Sequence, residues 1–195
     1  MSPVAPRWEW RTFGDDLDAA TSILETLGEG RAEDSDELYL LSRASDESVK
    51  VRSGLLELKL LERRSEDGLE LWRPSFEGAF PLGADELDPV LAALGAPVPL
   101  ALERYSEAEL LDEIAAHPGL LAVEVHKHRR HFTLDGCLAE STSVTTHAAS
   151  TTTIAIESEH SEQVVAARRR LRIDDRANVS YPRGLKTLLR FGGSV

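Results

Sequence analysis

Two glutamates near the end of one short stretch could hold a metal ion. Residues 153–159, TIAIESE, have the pattern of a β-strand that ends with Glu157 and Glu159 on one face. Carboxylates about 7 Å apart along a strand repel each other unless a cation lies between them. Their oxygen atoms suit a hard ion such as Mg²⁺ or Mn²⁺. Taken alone, the pair is more typical of a solvated strand end, so a metal site needs support from elsewhere in the chain.

A second stretch separates an aliphatic face from a charged one. Residues 48–61, SVKVRSGLLELKLL, alternate with a period of two around Ser53-Gly54, which predicts a tight β-hairpin. The predicted cross-strand pairs are Ser48 with Lys59, Lys50 with Glu57, Arg52 with Leu55, Val49 with Leu58, and Val51 with Leu56. An ordinary half-solvated hairpin has the same alternation, so this pattern alone does not indicate a binding site.

The start of the chain shows a similar alternation. Residues 7–13, RWEWRTF, interleave charged residues with tryptophans, which predicts a strand with a buried aromatic face. The opposite face would then carry Arg7, Glu9 and Arg11. These side chains have the same mixture of charges as the hairpin.

The remaining segments predict strands and helices that could position these residues. Helices are predicted at residues 16–27 with Asp15 as N-cap, 85–94, 106–116 with the capping pair Ser106 and Glu109, and 161–173 with a serine N-cap. Further strands are predicted at residues 37–43, 69–76, 120–134 and 137–146, with a turn at Asp135-Gly136. Residues 31–36 are expected to form an acidic connector. Residues 141–153 could alternatively form a flexible Ser/Thr loop.

Size and composition limit the possible functions. The chain has 195 residues, 42% of them hydrophobic, which predicts one globular domain over residues 1–195. A net charge of −12 argues against non-specific DNA binding, because that requires a broad basic surface. Cys137 is the only cysteine, which favours a reducing compartment. Without a signal peptide pattern or a long apolar run, we expect a cytoplasmic protein with no membrane partner.

In their order and spacing, these motifs resemble the CYTH superfamily, the triphosphate tunnel metalloenzymes. The resemblance covers nearly the whole chain and implies an α+β fold: an antiparallel β-barrel tunnel of about eight strands with helices packed outside. It implies phosphate-binding roles for Arg11, Lys50, Arg52, Lys59, Lys127, Arg129 and Arg183. It implies catalytic and metal-binding roles for Glu9, Glu157 and Glu159, with Glu70 and Glu140 as further metal ligands. Ser180-Tyr181 resembles the C-terminal motif of the family.

Two positions depart from the pattern of that family. Arg7 stands where the opening E-x-E-x-K signature has its first glutamate, so the site loses a metal ligand and gains a cation. The lysine before the serine-tyrosine motif is missing, and Arg176 or Arg183 could replace it. A change of Arg7 to Glu should therefore raise metal-dependent hydrolysis.

The resemblance implies a Mg²⁺- or Mn²⁺-dependent hydrolase of a triphosphate-containing substrate, such as inorganic, nucleoside or thiamine triphosphate. One alternative is a weak or inactive module that binds phosphate, polyphosphate or nucleotides, and another is a class IV-type adenylate cyclase. The expected partner is a small-molecule triphosphate or polyphosphate held in a basic lumen.

Three other features have simpler explanations. His126, His128 and His131 could form a metal cluster, but an exposed or tunnel-rim strand explains them as well. The three arginines at 168–170 point in different directions on a helix and more simply pair with acids. Tyr39 and Trp72 are expected to be core residues.

Overall fold

A computed structural model describes residues 5–28, 30–96 and 98–192 and shows a closed barrel of eight antiparallel strands. The barrel strands are β1 (Arg7–Phe13), β2 (Arg31–Ser42), β3 (Ser48–Arg52), β4 (Leu55–Arg64), β5 (Glu70–Ala79), β8 (Leu120–Leu134), β9 (Cys137–Thr145) and β10 (Ser150–Ser158). Their order around the barrel is β1-β10-β9-β8-β2-β3-β4-β5. The predicted α+β barrel is confirmed.

The β3–β4 hairpin has the predicted register. All five predicted cross-strand pairs, from Ser48 with Lys59 to Arg52 with Leu55, are present. Ser53 and Gly54 both have positive φ angles, 52° and 74°, as a two-residue turn between twisted strands requires. The aliphatic face of the hairpin therefore points away from the charged face along its whole length.

In the part of the chain that the structure describes, four helices cover the outside of the barrel: α1 (Asp18–Glu25), α2 (Ala84–Ala93), α3 (Glu107–Ala116) and α4 (Ser161–Arg170). Trp8 and Trp10 of β1 pack in one apolar cluster with α1 and α4. Val49 and Leu56 pack in a second cluster with α2 and α3. A short sheet of β6 (Leu82–Gly83) and β7 (Arg104–Tyr105) borders the second cluster. This covering explains why the aliphatic strand faces point outward and leave the charged faces inside.

The fifth helix, α5 (Tyr181–Leu188), closes one end of the barrel. Tyr181 and Leu185 pack against inward-facing residues of three strands, including Leu41 of β2, Val125 of β8 and Val144 of β9. Just before α5, the backbone N–H of Val179 donates to the carbonyl oxygen of Arg11 at 2.7 Å. This bond ties the C-terminal segment to β1 and keeps α5 against the apolar end of the barrel interior.

Several predicted boundaries were wrong. Residues 31–36 are not a connector but the first half of β2, because they pair along β8 from Arg31 with His131 to Asp36 with His126. Helix α1 begins at Asp18 rather than 16, and its N-cap is Leu17 rather than Asp15. Helix α4 spans Ser161–Arg170, and its N-cap is His160.

Other predicted elements agree with the structure. Residues 141–153 belong to β9 and β10 and the turn between them, so they form strands rather than a flexible loop. The capping box of Ser106 and Glu109 is present at the start of α3. Within the described residues, no helix has the length and hydrophobicity needed to cross a membrane.

Candidate active site

The open half of the barrel interior contains a cavity of about 190 Å³, which we call the tunnel. It is lined by nine of the residues that the sequence singled out: Glu9, Arg11, Lys50, Arg52, Lys59, Lys127, Arg129, Glu140 and Glu157. They come from β1, β3, β4, β8, β9 and β10. Barrel closure brings them together, although up to 148 positions separate them in the sequence.

Glu9 and Glu157 form a carboxylate pair on one wall of the tunnel. They are direct cross-strand partners on β1 and β10. Burial raises the pKa of Glu157, and the neighbouring charge of Glu9 raises it further. Beyond the backbone pairing of β10, the carboxylate of Glu157 makes no hydrogen bond or ion pair with any residue in the described ranges. The pair therefore lacks a compensating cation within hydrogen-bond distance of Glu157.

The guanidinium of Arg11 bridges one carboxylate of this pair, Glu9, and the neighbouring Glu140. Arg11 Nε donates to Glu9 Oε1 and Arg11 Nη1 donates to Glu140 Oε1, both at 2.9 Å. Burial alone would raise the pKa of Glu140, but the charge and hydrogen bond of Arg11, together with the charges of Lys127 and Arg129, lower this pKa to about 2. Arg11 is buried, with 4% of its side chain exposed, so this cation is part of the tunnel wall.

Glu37, which sequence reasoning missed, is the main counter-ion of the basic wall. Its carboxylate accepts hydrogen bonds from Lys127 at 2.8 Å and Lys50 at 3.1 Å, and from Arg129. Burial would raise the pKa of Glu37, but these cations together hold it well below its usual range. The signal was present, because Glu37 is an acidic residue at an inward position of β2, opposite Arg52 of the hairpin.

Lys127 lies deepest among the tunnel cations, where the charged and apolar halves meet. Only 1% of its side chain is exposed, and burial lowers its pKa well below the usual value. Its Nζ donates to the hydroxyl oxygen of Tyr39 at 2.7 Å and lies 3.6 Å from the ring centroid of Tyr181. Tyr39 and Trp72 are buried, as expected of core residues, and both also line the tunnel.

Three predicted site residues lie elsewhere. Glu70 faces Glu9 in register, but its Oε1 is bound by Arg64 at 3.0 Å and by Arg183 at 2.6 Å. Neither Glu70 nor Arg183 is among the residues that line the tunnel. Glu159 follows the end of β10 and is exposed, so the structure separates it from Glu157.

The charged surface features have local partners. His126 and His128 are exposed and contact Asp36 at 2.9 Å and Asp34 at 2.7 Å. His131 instead lines the tunnel. Arg170 pairs with Asp135, while Arg168 donates to the carbonyl oxygen of Asp67 at 3.2 Å. Arg176 pairs with Asp16, away from the tunnel lining.

The tunnel is balanced in charge rather than strongly basic, which corrects the expected positive lumen. Arg52 pairs with Glu57 at 2.8 Å, in addition to the contacts of Arg11 and of the cations around Glu37. Among the described residues, Lys59 is the tunnel cation without an ion pair. A polyanion that enters must therefore replace carboxylates as the partners of these cations.

Glu9 and Glu157 offer a two-carboxylate donor set for a hard cation such as Mg²⁺. Across the described residues, no group of three or more His, Cys, Asp or Glu side chains is arranged to hold a metal. Two carboxylates, Glu9 and Glu157, remain as candidate ligands. Mg²⁺ commonly binds through one or two carboxylates together with substrate phosphates and water, so this donor set suits it.

The architecture matches solved structures at low sequence identity. HpAC1 from Hippeastrum, provisionally assigned as an adenylyl cyclase and described as having a dominant triphosphatase activity, is 12% identical. The match has a TM-score of 0.50 and covers 97% of this chain and 98% of that one. A protein from Bacillus halodurans, also provisionally assigned as an adenylate cyclase, is 13% identical, with a TM-score of 0.48 and coverage of 88% and 91%.

A conserved hypothetical protein from Pyrococcus furiosus is 17% identical, with a TM-score of 0.49 and coverage of 90% of this chain and 98% of that one. No family model and no curated protein matches the sequence. The likeness to HpAC1 therefore concerns the fold. The chain shares the closed-barrel fold of HpAC1, and its eight-stranded antiparallel barrel is the one that the order of its motifs predicted.

Proposed function

We propose that this protein is a hydrolase of a triphosphate-containing substrate and that it depends on Mg²⁺ or Mn²⁺. One observation carries the proposal: the carboxylates of Glu9 and Glu157 on β1 and β10 lie across the barrel from the cations of β3. A phosphate chain with a divalent ion would contact both walls at once. The triphosphatase activity described for HpAC1, which has the same fold, agrees with this reaction class.

The tunnel cations would bind and orient the phosphate chain. Lys50, Lys59 and Arg129 present N–H donors from β3, β4 and β8, and hydrogen bonds from charged donors to phosphate are strong. The planar guanidinium of Arg129 can bind two phosphate oxygens together. The apolar end of the barrel interior, formed with α5, limits how far the phosphate chain can enter and excludes water from that end.

Glu9 and Glu157 would hold the metal ion, with Glu140 beside them. A bound Mg²⁺ or Mn²⁺ would supply charge neutralisation during phosphoryl transfer. Arg11 would keep Glu9 and Glu140 in place through its two contacts of 2.9 Å. We place this activity in the cytoplasm, with a small-molecule triphosphate or polyphosphate as the partner.

A phosphate-binding module without turnover is the second candidate. It is favoured by Arg11, which occupies Glu9 and Glu140, and by Arg7, which replaces a possible third carboxylate near the pair. Such a protein would bind triphosphate through the same cations but hold the metal weakly. An adenylate cyclase would use the same tunnel, but no contact in it favours cyclisation over hydrolysis.

Phosphate release separates these candidates. The purified protein is incubated with inorganic triphosphate, ATP or thiamine triphosphate, with Mg²⁺, with Mn²⁺ or with EDTA. We expect release from at least one substrate, dependent on the metal, strongly reduced in Glu157→Gln and retained in the exposed control Glu162→Gln. Thermal stabilisation by triphosphate without release would support the module. Neither release nor stabilisation would reject both candidates.

A further inference from the structure

A larger chamber adjoins the open end of the tunnel. Its volume is about 630 Å³, compared with about 190 Å³ for the tunnel. The two cavities share lining residues, among them Glu9, Lys59, Trp72 and Glu157. Sites for small organic molecules usually measure about 300–1,000 Å³. The chamber falls in this range, whereas the tunnel alone is smaller.

The chamber differs from the tunnel in the chemistry of its walls. Trp72 is 6% exposed and lines both cavities, and Pro74 continues the same wall two residues further along β5. Leu138 forms part of the other wall from β9, where it is the register partner of Glu157. It is 53% exposed, so a large apolar side chain stands open to solvent beside the carboxylate pair.

The rim adds cations to these apolar walls. Arg7, which stands where the family has a glutamate, lines the chamber and is the register partner of Trp72. Arg52 lines both cavities and is 42% exposed. An inorganic phosphate chain could accept hydrogen bonds from these cations but would make no apolar contact with Trp72 and Leu138. A flat ring would bury apolar surface against both.

We propose that the chamber binds the organic part of a triphosphate monoester, a group that carries a flat ring, while the triphosphate extends into the tunnel. The substrate class is then an organic triphosphate rather than inorganic triphosphate. This inference rests on the proposed use of the tunnel for triphosphate. It depends on three features: the continuity of the cavities, the size of the chamber, and its apolar walls next to the carboxylate pair.

Direct binding tests the inference without requiring turnover. Calorimetry with Mg²⁺ compares an ATP analogue with a methylene group between the β- and γ-phosphates, thiamine triphosphate, and inorganic triphosphate. We expect at least one organic ligand to bind about five- to tenfold more tightly than inorganic triphosphate. Whichever organic ligand binds more tightly identifies the ring as a nucleobase or as thiamine.

A variant and a matched control assign the preference to the chamber. Leu138→Ser should reduce organic-ligand affinity by about fivefold and change that of inorganic triphosphate by less than about twofold. Leu102→Ser is the control, because Leu102 is also exposed, at 43%, but lines neither cavity. Circular dichroism and the melting temperature verify that both variants fold.

The failure of this inference differs from the failure of the proposed function. Equal or tighter binding of inorganic triphosphate would overturn the proposed role of the chamber. An equal effect of Leu138→Ser on the affinity of all ligands would overturn it as well. Absence of phosphate release from every substrate would reject the hydrolase but leave the binding comparison intact. If no triphosphate binds at all, the use of the tunnel and the inference built on it are both wrong.

Discussion

At the open end of the barrel, inward positions carry charged side chains, whereas at the closed end they carry apolar ones. Strand β2 shows both within five residues, because Glu37 faces the basic cluster and Leu41 packs against α5. Tyr39 lies between them, with its hydroxyl bonded to Lys127 and its ring stacked on Tyr181 at 5.5 Å. The same strands therefore form a hydrophobic core at one end and a site at the other.

The two halves are stabilised by different physics. Apolar burial at the closed end is favourable in proportion to area and needs no specific partner. Each buried charge at the open end needs a counter-charge, since desolvation is otherwise too costly. Glu37, Arg11 and Glu140 supply such counter-charges in the tunnel. A bound phosphate chain and its metal ion would take over part of this role.

The largest effect on stability is expected from Glu37→Gln. This change keeps the shape of the side chain but leaves Lys127, Lys50 and Arg129 without their shared carboxylate. Removing one partner from buried ion pairs costs about 3–5 kcal/mol, measured as the free energy of unfolding in urea at pH 7. Glu103→Gln, at an exposed position, is the control. A loss below about 1 kcal/mol would mean that the charged half does not depend on Glu37.

The next largest effect is expected on the rate, from Glu157→Gln. If the carboxylate pair holds the metal, phosphate release should fall about 10²–10³-fold. The melting temperature should stay level or rise, because burial and Glu9 disfavour the charged form of Glu157. Glu159→Gln should keep most of the activity, since Glu159 is exposed beyond the strand end. An equal loss of activity in both variants would indicate that Glu157 and Glu159 act together, as the E-x-E site expected from the sequence.

A substitution in the apolar half should lower stability and leave the rate of phosphate release unchanged, the reverse of Glu157→Gln. Leu185→Ala removes a fully buried side chain from the cluster between α5 and the barrel. We expect a loss of about 2–3 kcal/mol in unfolding free energy, with turnover per folded molecule retained at low temperature. Leu102→Ala at an exposed position is the comparison. Loss of turnover in fully folded protein would show that the closed end also shapes the site.

Arg7→Glu should strengthen metal binding modestly. The new carboxylate would stand two residues from Glu9 on the same strand face, at the mouth of the tunnel. We expect the affinity for Mn²⁺, measured by electron paramagnetic resonance, to rise about tenfold, with faster hydrolysis. Arg190→Glu, an exposed position on the C-terminal segment, should leave Mn²⁺ binding unchanged. No change in Arg7→Glu would place position 7 outside the metal site.

The smallest effect is expected in how the free energy of unfolding changes with pH below about 4.5. Glu140 has a pKa of about 2 in the folded state, below its ordinary value of 4.5, because Arg11, with Lys127 and Arg129, favours the ionised form by more than burial disfavours it. Its contribution is therefore complete above pH 4.5 and is lost as the pH falls towards 2. The free energy of unfolding in urea, measured at several pH values between 2 and 4.5, should therefore depend less steeply on pH in Glu140→Gln, by up to about 1.4 kcal/mol per pH unit. An unchanged slope would mean that Arg11 does not stabilise Glu140.

Local patterns predicted the elements that depend on neighbouring residues. The period-two alternation of residues 48–61 and the Ser53-Gly54 turn predicted every pair of the hairpin. The cap of α3 followed from Ser106 and Glu109. Residues 31–36 were missed as strand because their polarity is typical of a connector, and only the partner strand β8 makes them extended.

The sequence by itself determined the alternation that puts charges on one strand face and aliphatic residues on the other, because side chains alternate along a strand. It also predicted nine of the residues that line the tunnel. Only the tertiary structure decided which carboxylates stand alone and which are neutralised, as Glu70 is by Arg183 and Glu140 is by Arg11. Those pairings join residues distant in the chain, and they depend on barrel closure and on the position of α5, which no local pattern specifies.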